Sequence, residues 1–354
     1  MNIIHVGLGI RGRHWLEIVR DYPAATSVAC VDPQGEALDW VKRHFPALGQ
    51  ACYEDLGSAF TSIEADAAII SSPPALHATH AIMALEAGLA VMIEKPFATS
   101  VAEGARIVGV SRRTGRLIMV GQNYRYRRCE QTLQKLLREG KVGCVTHVSY
   151  VDRRARSPQG NFLSQVDYAQ VLDVGAHHFD SLRSILGVNP VRVMGRCSKA
   201  PWSGYRHGST TEANFEMENN IHIQYYGSLT SSRYESTLTI EGNKGVLRSD
   251  QRHVWWRKYG WRFFLPLPMA KIPPGDALKY PREGTTTLLD QLNAAVTQKR
   301  VPETNGDDNL WTLAMVEATM LSDKTETVVS VGDLLKSAGV SQVPLPEFPR
   351  TMTA

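Results

Sequence analysis

The segment that most constrains the fold is residues 2–22, where an apolar run is followed at once by a glycine-rich turn and an amphipathic stretch. NIIHV is typical of a β-strand, GLGIRG forms the turn, and HWLEIVRDY has helical periodicity. In such a unit the first glycine permits the tight turn, the second lets backbone approach a pyrophosphate, and the third lets helix pack closely on strand. The phosphates would lie at the helix N-terminus. The candidate cofactor-binding residues of this turn are Gly7, Gly9, Ile10, Arg11 and Gly12.

A second apolar strand, SVACVD, ends in Asp32, which stands 20 residues beyond Gly12. The dinucleotide-binding pattern places an acidic side chain at about this spacing, where it binds the ribose hydroxyls. A carboxylate there would repel a 2′-phosphate, so we predict NAD as the cofactor in preference to NADP. The alternative is a solvated turn aspartate.

Strands and helices continue to alternate as far as residue 121, which predicts a parallel, doubly wound sheet in a domain covering residues 1–122. Ligands of such sheets bind beyond the carboxyl ends of the strands. The candidates at these ends are Ser72 and Pro73 with His77, Glu94 with Lys95, and Gln122, Asn123, Tyr124 and Arg125.

Lys95 directly follows the buried-looking strand AVMIE and precedes Pro96, whose ring fixes the backbone. An ammonium group at this place could hydrogen-bond a substrate hydroxyl and stabilise the alkoxide character that develops as hydride leaves. The alternative is a lysine that extends to solvent at the rim of the sheet.

From Val142 onward the pattern differs, because β-rich runs alternate with short Gly/Asn turns. This pattern predicts a second α/β domain over residues 123–354 with a large, mostly antiparallel mixed sheet. EGNKG is a hairpin signal, and two late segments, TTLLDQLNAAVTQ and DDNLWTLAMVEATMLSDK, have helical periodicity. The proline-rich tail at about 340–354 is a candidate arm.

Residues 170–187, QVLDVGAHHFDSLRSILG, contain two aspartates and two adjacent histidines. We predict Asp173 at the N-cap of a helix that runs from Val174 to Leu186 and ends at Gly187. His178 falls on the apolar face with Phe179, Leu182, Ile185 and Leu186, so it is expected in the core. Asp173 and His177, four residues apart, would share the opposite face.

The role of Asp173 and His177 in this turn has three possible interpretations. An imidazole can accept a hydroxyl proton near neutral pH, so His177 could be a general base that Asp173 orients. A zinc site is weaker, because zinc needs a third ligand and hydride transfer to nicotinamide needs no metal. The third reading is an N-cap aspartate beside an exposed histidine. We predict Lys95, Asp173 and His177 as catalytic residues and no metal.

Four motifs together, GLGIRG at 7–12, SPPALH at 72–77, EKP at 94–96 and LDVGAH at 172–177, resemble the glucose–fructose oxidoreductase/inositol dehydrogenase (Gfo/Idh/MocA) family over nearly the whole chain. The resemblance implies a Rossmann domain, a C-terminal sheet domain with the substrate site, and oxidation of a secondary alcohol on a sugar, glycoside or cyclitol. It also implies a homodimer or homotetramer. Family positions make Asn123, Tyr124, Arg125 and Tyr234 candidate substrate contacts, although the 123–125 segment departs from the inositol dehydrogenase pattern.

Two stretches, DRRARSPQGNF at 152–162 and WSGYRHGS at 202–209, combine arginines with aromatic residues. Such residues can stack on sugar rings and pair with anionic groups, so Arg153 is a candidate for binding an anionic or glycosidic substrate. Solvated loops or subunit contacts are the alternative. RHVWWRKYGWR at 252–262 resembles a nucleic-acid surface, but its place in the β-rich domain favours a hairpin at a subunit interface.

Composition excludes several classes. The chain has 354 residues, a net charge of +4, and no apolar run near the ~20 residues of a membrane helix. Its five cysteines form no CxxC pair, and the N-terminus reads as a strand with no export signal. We therefore expect a cytoplasmic protein that binds neither membrane nor nucleic acid.

The leading prediction is an NAD-dependent dehydrogenase acting on CH–OH groups of a carbohydrate-like substrate. One alternative is an oxidoreductive glycoside-cleaving enzyme, in which transient oxidation permits elimination of the aglycone and the cofactor is regenerated. The other is an NAD(H)-binding sensor without catalysis, against which the combination of Lys95, Asp173 and His177 argues.

Overall fold

The computed structural model describes residues 1–159 and 162–340, so the predicted proline-rich arm lies outside the described residues apart from Val340. The chain divides into two compact units. The nucleotide unit contains residues 1–123 and 272–310, and the sheet unit contains residues 124–271 and those from 311 onward.

The nucleotide unit has a six-stranded sheet in which every neighbouring pair is parallel. Its order is β3-β2-β1-β4-β5-β6, the order of a doubly wound sheet. The strands are β1 (Asn2–Val6), β2 (Thr26–Val31), β3 (Cys52–Tyr53), β4 (Ala67–Ile70), β5 (Ala90–Ile93) and β6 (Ile118–Val120). Strands β4, β5 and β6 are buried along their whole length, as apolar strands covered on both faces should be.

Five helices connect these strands, namely α1 (Ile10–Arg20), α2 (Gly35–His44), α3 (Leu56–Ser62), α4 (His77–Glu86) and α5 (Val101–Thr114). Helix α5 begins at the N-cap Ser100, whose side chain accepts a hydrogen bond from Glu103, and ends at Gly115 with φ +66°. The predicted fold of the first domain is confirmed.

Residues 272–310 belong to the nucleotide unit, whereas the sequence predicted one uninterrupted second domain from residue 123. The physical reason lies at β6, whose outer edge would otherwise be open. The Val120 amide donates to the Thr304 carbonyl at 2.8 Å, and Met119 forms a bridge with Asn305. Returning chain therefore completes this edge of the sheet.

The sheet unit has a nine-stranded sheet of order β14-β13-β12-β11-β7-β10-β9-β8-β15, in which only β7 and β10 pair in parallel. The strands are β7 (Val145–Ala155), β8 (Pro190–Ser198), β9 (Thr210–Met217), β10 (Ile221–Ser228), β11 (Thr230–Gly242), β12 (Gly245–Ser249), β13 (Val254–Lys258), β14 (Leu265–Pro266) and β15 (Val329–Ser330). The mostly antiparallel mixed sheet is confirmed, as is the hairpin at EGNKG, where Gly242 pairs with Gly245.

The remaining helices are α6 (Arg128–Arg138), α7 (Ala176–Leu186), α8 (Thr285–Gln298), α9 (Gly306–Thr325) and α10 (Val331–Ser337). Helices α8 and α9 match the two periodic segments of the sequence. The sequence predicts one apolar face of α7 and a polar opposite face, and in the structure all residues of the helix are buried. Polar partners, described below, satisfy its second face.

The prediction that Asp173 caps this helix is wrong. Residues Val171–Gly175 form a π-helical turn that runs directly into α7, and Gly175 occupies the N-cap position without a side-chain hydrogen bond. The Ala176 amide bonds to the Val171 carbonyl, so the backbone itself satisfies the first turn. The Asp173 carboxylate therefore does not cap α7, and it pairs with Arg156 instead, as described below.

Candidate functional site

The parallel strands of the nucleotide unit bring the predicted cofactor residues to one edge of the sheet. Strands β1, β2, β4, β5 and β6 end at residues 6, 31, 70, 93 and 120. Each predicted segment follows one of these ends, and the carboxyl ends of parallel strands meet at the same edge. The residues that gather there are Gly7–Gly12, Asp32, Ser72, Pro73, Glu94, Lys95, Gln122 and Asn123.

The three glycines of the turn have different surroundings. Gly7 has φ +86°, and a Cβ atom on it would lie 2.5 Å from the Ser72 amide nitrogen. A Cβ on Gly12 would lie 1.9 Å from the Gly7 carbonyl oxygen. A Cβ on Gly9 would meet nothing within 4 Å. The open side of Gly9, at the N-cap of α1, fits the approach of a pyrophosphate.

Asp32 lies at the end of β2 with its carboxylate oriented by the backbone. The Leu8 amide donates to Oδ2 at 2.7 Å and the Gln34 amide donates to Oδ1 at 2.9 Å. The residue is only 9% exposed, so the carboxylate is fixed and does not extend into solvent. This geometry suits recognition of a ribose diol and opposes a 2′-phosphate.

Glu94 and Arg11 form an ion pair inside the nucleotide unit. Arg11 Nε and Trp15 Nε1 donate to Glu94 Oε1 at 2.5 Å and 2.7 Å. Burial by itself would raise the pKa of Glu94, but the Arg11 charge and these hydrogen bonds lower it overall. Glu94 thus holds Arg11 and α1 in place, and its contact with the cofactor stays a prediction. The hydrogen-bonding role of Trp15 had no signal in the sequence.

His77 also holds two neighbouring loops in place through its ring nitrogens. Its Nδ1 lies 2.8 Å from the Pro96 carbonyl oxygen and its Nε2 lies 2.9 Å from the Ser72 carbonyl oxygen. Burial lowers the pKa of His77, and the two carbonyl contacts offset this only in part. Because both ring nitrogens are engaged within the unit, His77 fixes the loops after β4 and β5, and its contact with the cofactor stays a prediction.

Lys95 is partly buried immediately after β5, as the sequence predicted. Gln122 and Asn123 are buried after β6. Asn123 Nδ2 donates to the Glu283 carbonyl at 2.7 Å, so Asn123 fixes the returning chain. Its contact with substrate stays a prediction, as do the cofactor contacts of Ile10, Ser72, Pro73 and Gln122.

The returning chain also lies against α1. Residues 280–283, which we call the strap, were not predicted to be near the glycine turn. Contacts of the strap with α1 and its C-cap Asp21 include Tyr280 Oη to His14 Nδ1 at 3.0 Å, Arg11 Nη1 to the Pro281 carbonyl at 3.2 Å, and the ion pair of Arg282 with Asp21. Nothing in the local sequence pattern indicates which helix this segment contacts.

In the sheet unit, Asp173 lies in the π-helical turn and is 6% exposed. Arg156, in the loop that follows β7, forms an ion pair with Asp173 through Nη1 and Oδ2. The sequence indicated the stretch that contains Arg156 as a candidate for binding anions, but no sequence pattern indicated that Arg156 pairs with Asp173.

His177, in the first turn of α7, is 7% exposed. Its ring stacks on that of Tyr124 with centroids 4.1 Å apart and planes 5° apart. The guanidinium of Arg127 lies over the same tyrosine ring. Tyr124 therefore packs face to face on the imidazole of His177, and its predicted contact with substrate stays a prediction.

His178 is fully buried, which confirms the predicted core histidine. Its Nδ1 lies 2.9 Å from Tyr225 Oη, and burial lowers its pKa to about 3. Asp152 lies nearby and is held by Arg154 at 2.8 Å. Burial would raise the pKa of Asp152, but the charges of His178 and Arg154 lower it overall. Asp152 stands two and four residues after the buried Tyr150 and Val148, on the same face of β7, and this period could have indicated a buried carboxylate.

Arg125, predicted to contact substrate, is instead part of the core. It is 1% exposed, and its Nε and Nη2 donate to the two carboxylate oxygens of Asp180 at 2.6 Å and 2.7 Å. Thr312 also donates to Asp180, at 2.9 Å. These hydrogen bonds satisfy the carboxylate of Asp180 on the polar face of α7, which is why that face can be buried.

Each arginine of the DRRAR stretch has a carboxylate partner. Arg153 pairs with Glu235 at 2.7 Å, Arg154 with Asp152, and Arg156 with Asp173. Tyr234 is 61% exposed, and the Arg154 guanidinium lies 5.8 Å from its ring centroid. Substrate contacts of Arg153 and Tyr234 stay predictions.

Within residues 1–159 and 162–340, no three His, Cys, Asp or Glu side chains are grouped so that they could hold a metal ion. In the same part of the chain, no helix combines the length and apolar character that crossing a membrane requires.

A doubly wound unit with this glycine turn, and a second unit that carries an acid–imidazole turn, define a nicotinamide-dependent oxidoreductase. Residues 1–122 match the family model described as "Oxidoreductase family, NAD-binding Rossmann fold", and residues 131–248 match the GFO/IDH/MocA C-terminal domain. The chain belongs to the Gfo/Idh/MocA family of NAD-binding oxidoreductases.

Similar proteins include sugar and cyclitol dehydrogenases. D-apiose dehydrogenase of Paraburkholderia graminis is 26% identical over 93% of this chain and 89% of its own. Inositol 2-dehydrogenase of Rhizobium meliloti is 23% identical over 81% and 89%. An oxidoreductase from Agrobacterium radiobacter, solved in complex with NAD+, L-tartaric acid and magnesium, has a TM-score of 0.85 at 19% identity over 95% of this chain and 99% of its own. This last likeness concerns the fold alone.

Proposed function

We propose that the protein oxidises a secondary alcohol on a neutral sugar, sugar derivative or cyclitol, with NAD as the hydride acceptor. The observation that carries the proposal is the His177 imidazole, held face to face on Tyr124 and four residues from the ion-paired carboxylate of Asp173. D-apiose and inositol dehydrogenases among the relatives support the substrate class.

NAD, when bound, supplies the carbon that accepts hydride. His177 accepts the hydroxyl proton, since a neutral imidazole is a competent base near pH 7. Asp173 orients the substrate or the imidazole and favours the imidazolium once it has formed. Lys95 donates a hydrogen bond to the same oxygen and stabilises its developing negative charge.

The choice of a neutral substrate rests on charge. Arg153, Arg154 and Arg156 were candidates for binding an anion, but each is already paired with a carboxylate. An anionic substrate would have to displace a carboxylate from its charge-assisted hydrogen bonds. We propose that Tyr234, exposed beside Arg154, stacks on the sugar ring.

The test is a panel assay with NAD and three groups of compounds, namely neutral sugars and cyclitols including D-apiose and inositol, sugar acids, and aryl glycosides. We expect NADH to form with a member of the first group and a ketone to appear in equal amount. Turnover of sugar acids only would contradict the neutral substrate. Aglycone release without net NADH would favour oxidoreductive cleavage, and NADH binding without any turnover would favour a sensor.

Two further proposals concern the protein in the cell. All five cysteines are free thiols, three of them buried, which suits a reducing compartment, and we propose the cytoplasm. We also propose a homodimer or homotetramer and no binding to nucleic acid. Light scattering and a filter-binding assay test these statements directly.

A further inference from the structure

Arg156 lies outside the set of catalytic residues that the sequence predicted, yet it contacts one of them. Its Nη1 binds Asp173 Oδ2, and the side chain of Arg156 is 40% exposed while that of Asp173 is 9% exposed. A carboxylate this deeply buried is stabilised in its ionised form by a paired cation. Arg156 is therefore the cation that pairs with the buried Asp173 carboxylate next to the acid–imidazole turn.

The backbone of Arg156 is held firmly. Its amide donates to the Leu229 carbonyl at 2.9 Å, and its own carbonyl accepts a hydrogen bond from Tyr205 Oη at 2.9 Å. Tyr205 and Leu229 belong to one buried apolar cluster that also contains Val174, the residue after Asp173. One cluster thus fixes both ends of the ion pair.

We infer that Arg156 is a positioning residue for the oxidation proposed above, and this inference rests on that proposed function. Arg156 fixes the plane of the Asp173 carboxylate and holds it as an anion. Asp173 therefore orients its partners and does not take the substrate proton, which leaves proton transfer to His177. Arg156 acts through Asp173 and needs no contact of its own with the substrate.

A double-mutant cycle with Asp173→Asn, Arg156→Met and the double variant tests this inference, with kcat and KM measured on the best substrate of the panel. We expect Arg156→Met to lower kcat/KM by about 10- to 100-fold, mainly through kcat, as misplacement of an orienting group does. In the Asp173→Asn background the same change should have almost no effect. Arg156→Lys, which keeps the cation, should recover part of kcat.

The matched control is Arg192→Met, which removes another ion pair of the sheet unit, that with Glu216 on the neighbouring strand. It should leave kcat and KM unchanged, and NADH affinity serves as a check of folding for every variant. Full activity of Arg156→Met, or an equal loss in both backgrounds, would overturn the inference and leave the proposed function intact. Full activity of Asp173→Asn would overturn both the role of Asp173 in the proposed function and the inference built on it.

Discussion

Gly9 differs from the other two glycines of the turn in what surrounds its α-carbon. Gly7 and Gly12 are required by the protein's own packing, because a Cβ on either would collide with backbone. Gly9 has open space where a Cβ would stand, so the protein's own packing does not require glycine there. Close approach of a ligand gives the physical reason for glycine at this position.

Replacing Gly9 by alanine should therefore separate binding from folding. The free energy of unfolding should change by no more than about 1 kcal/mol, the scale of a helix N-cap substitution. The dissociation constant of NADH, measured by fluorescence titration, should rise by about tenfold, equivalent to about 1.4 kcal/mol. The control is Gly109→Ala on the exposed side of α5, where a Cβ also meets nothing within 4 Å and NADH affinity should not change. Equal NADH affinity of both variants would contradict this account.

Arg125 is the residue at which sequence reasoning and structure differ most. Replacing it by methionine removes both donors that Asp180 receives from it and leaves a fully buried carboxylate without its cation. We expect the free energy of unfolding in urea to fall by about 3–5 kcal/mol, the usual loss when one partner of a buried ion pair is removed. Arg192→Met, at an exposed pair, should cost at most about 1 kcal/mol. Similar small losses in both variants would mean that the Arg125 pair is not structural.

At the scale of elements, residue patterns predicted which segments form strands and helices but not how a helix is surrounded. The 3.6-residue periodicity of α7 correctly placed His178 in the core. The burial of the polar face of α7 was not predicted, because the partners of Asp180 on that face, Arg125 and Thr312, are distant in sequence. A π-helical turn has no sequence signature comparable to a cap motif, so the position of Asp173 was mistaken for an N-cap.

The strap, residues 280–283, was missed for the same reason, since helix α1 and the strap are about 270 positions apart in sequence. Because α1 carries the phosphate-binding N-terminus, loosening the strap should speed the release of cofactor. We expect Arg282→Met to raise the NADH dissociation rate in stopped-flow fluorescence by about two- to fivefold, in keeping with the ~0.2–1 kcal/mol of an exposed ion pair.

Arg20→Met is the matched control for the strap. Arg20 also pairs with Asp21, but both residues belong to the α1 segment, so this ion pair does not join α1 to the strap. This variant should release NADH at the unaltered rate. Equal release rates of Arg282→Met and Arg20→Met would show that the strap does not control cofactor release.

At the scale of the whole molecule, the order of elements predicted both sheets, because alternation of strands and helices and runs of short strands are long-range patterns in the sequence. It did not predict that residues 272–310 return to the nucleotide unit, since helical periodicity does not indicate on which sheet a helix packs. Lys95 belongs to the nucleotide unit, while Asp173 and His177 belong to the sheet unit. The proposed reaction needs all three residues to act on one substrate hydroxyl.

The most direct measurement of this requirement is single-turnover reduction of NAD by the alcohol that the panel identifies, followed in a rapid-mixing instrument for the unaltered protein and for His177→Asn and Lys95→Met. We predict that His177→Asn slows hydride transfer by about 100-fold or more, the contribution of a general base, while NADH affinity is kept. Lys95→Met should slow the same step. Reduction of NAD at the unaltered rate in both variants would contradict the account.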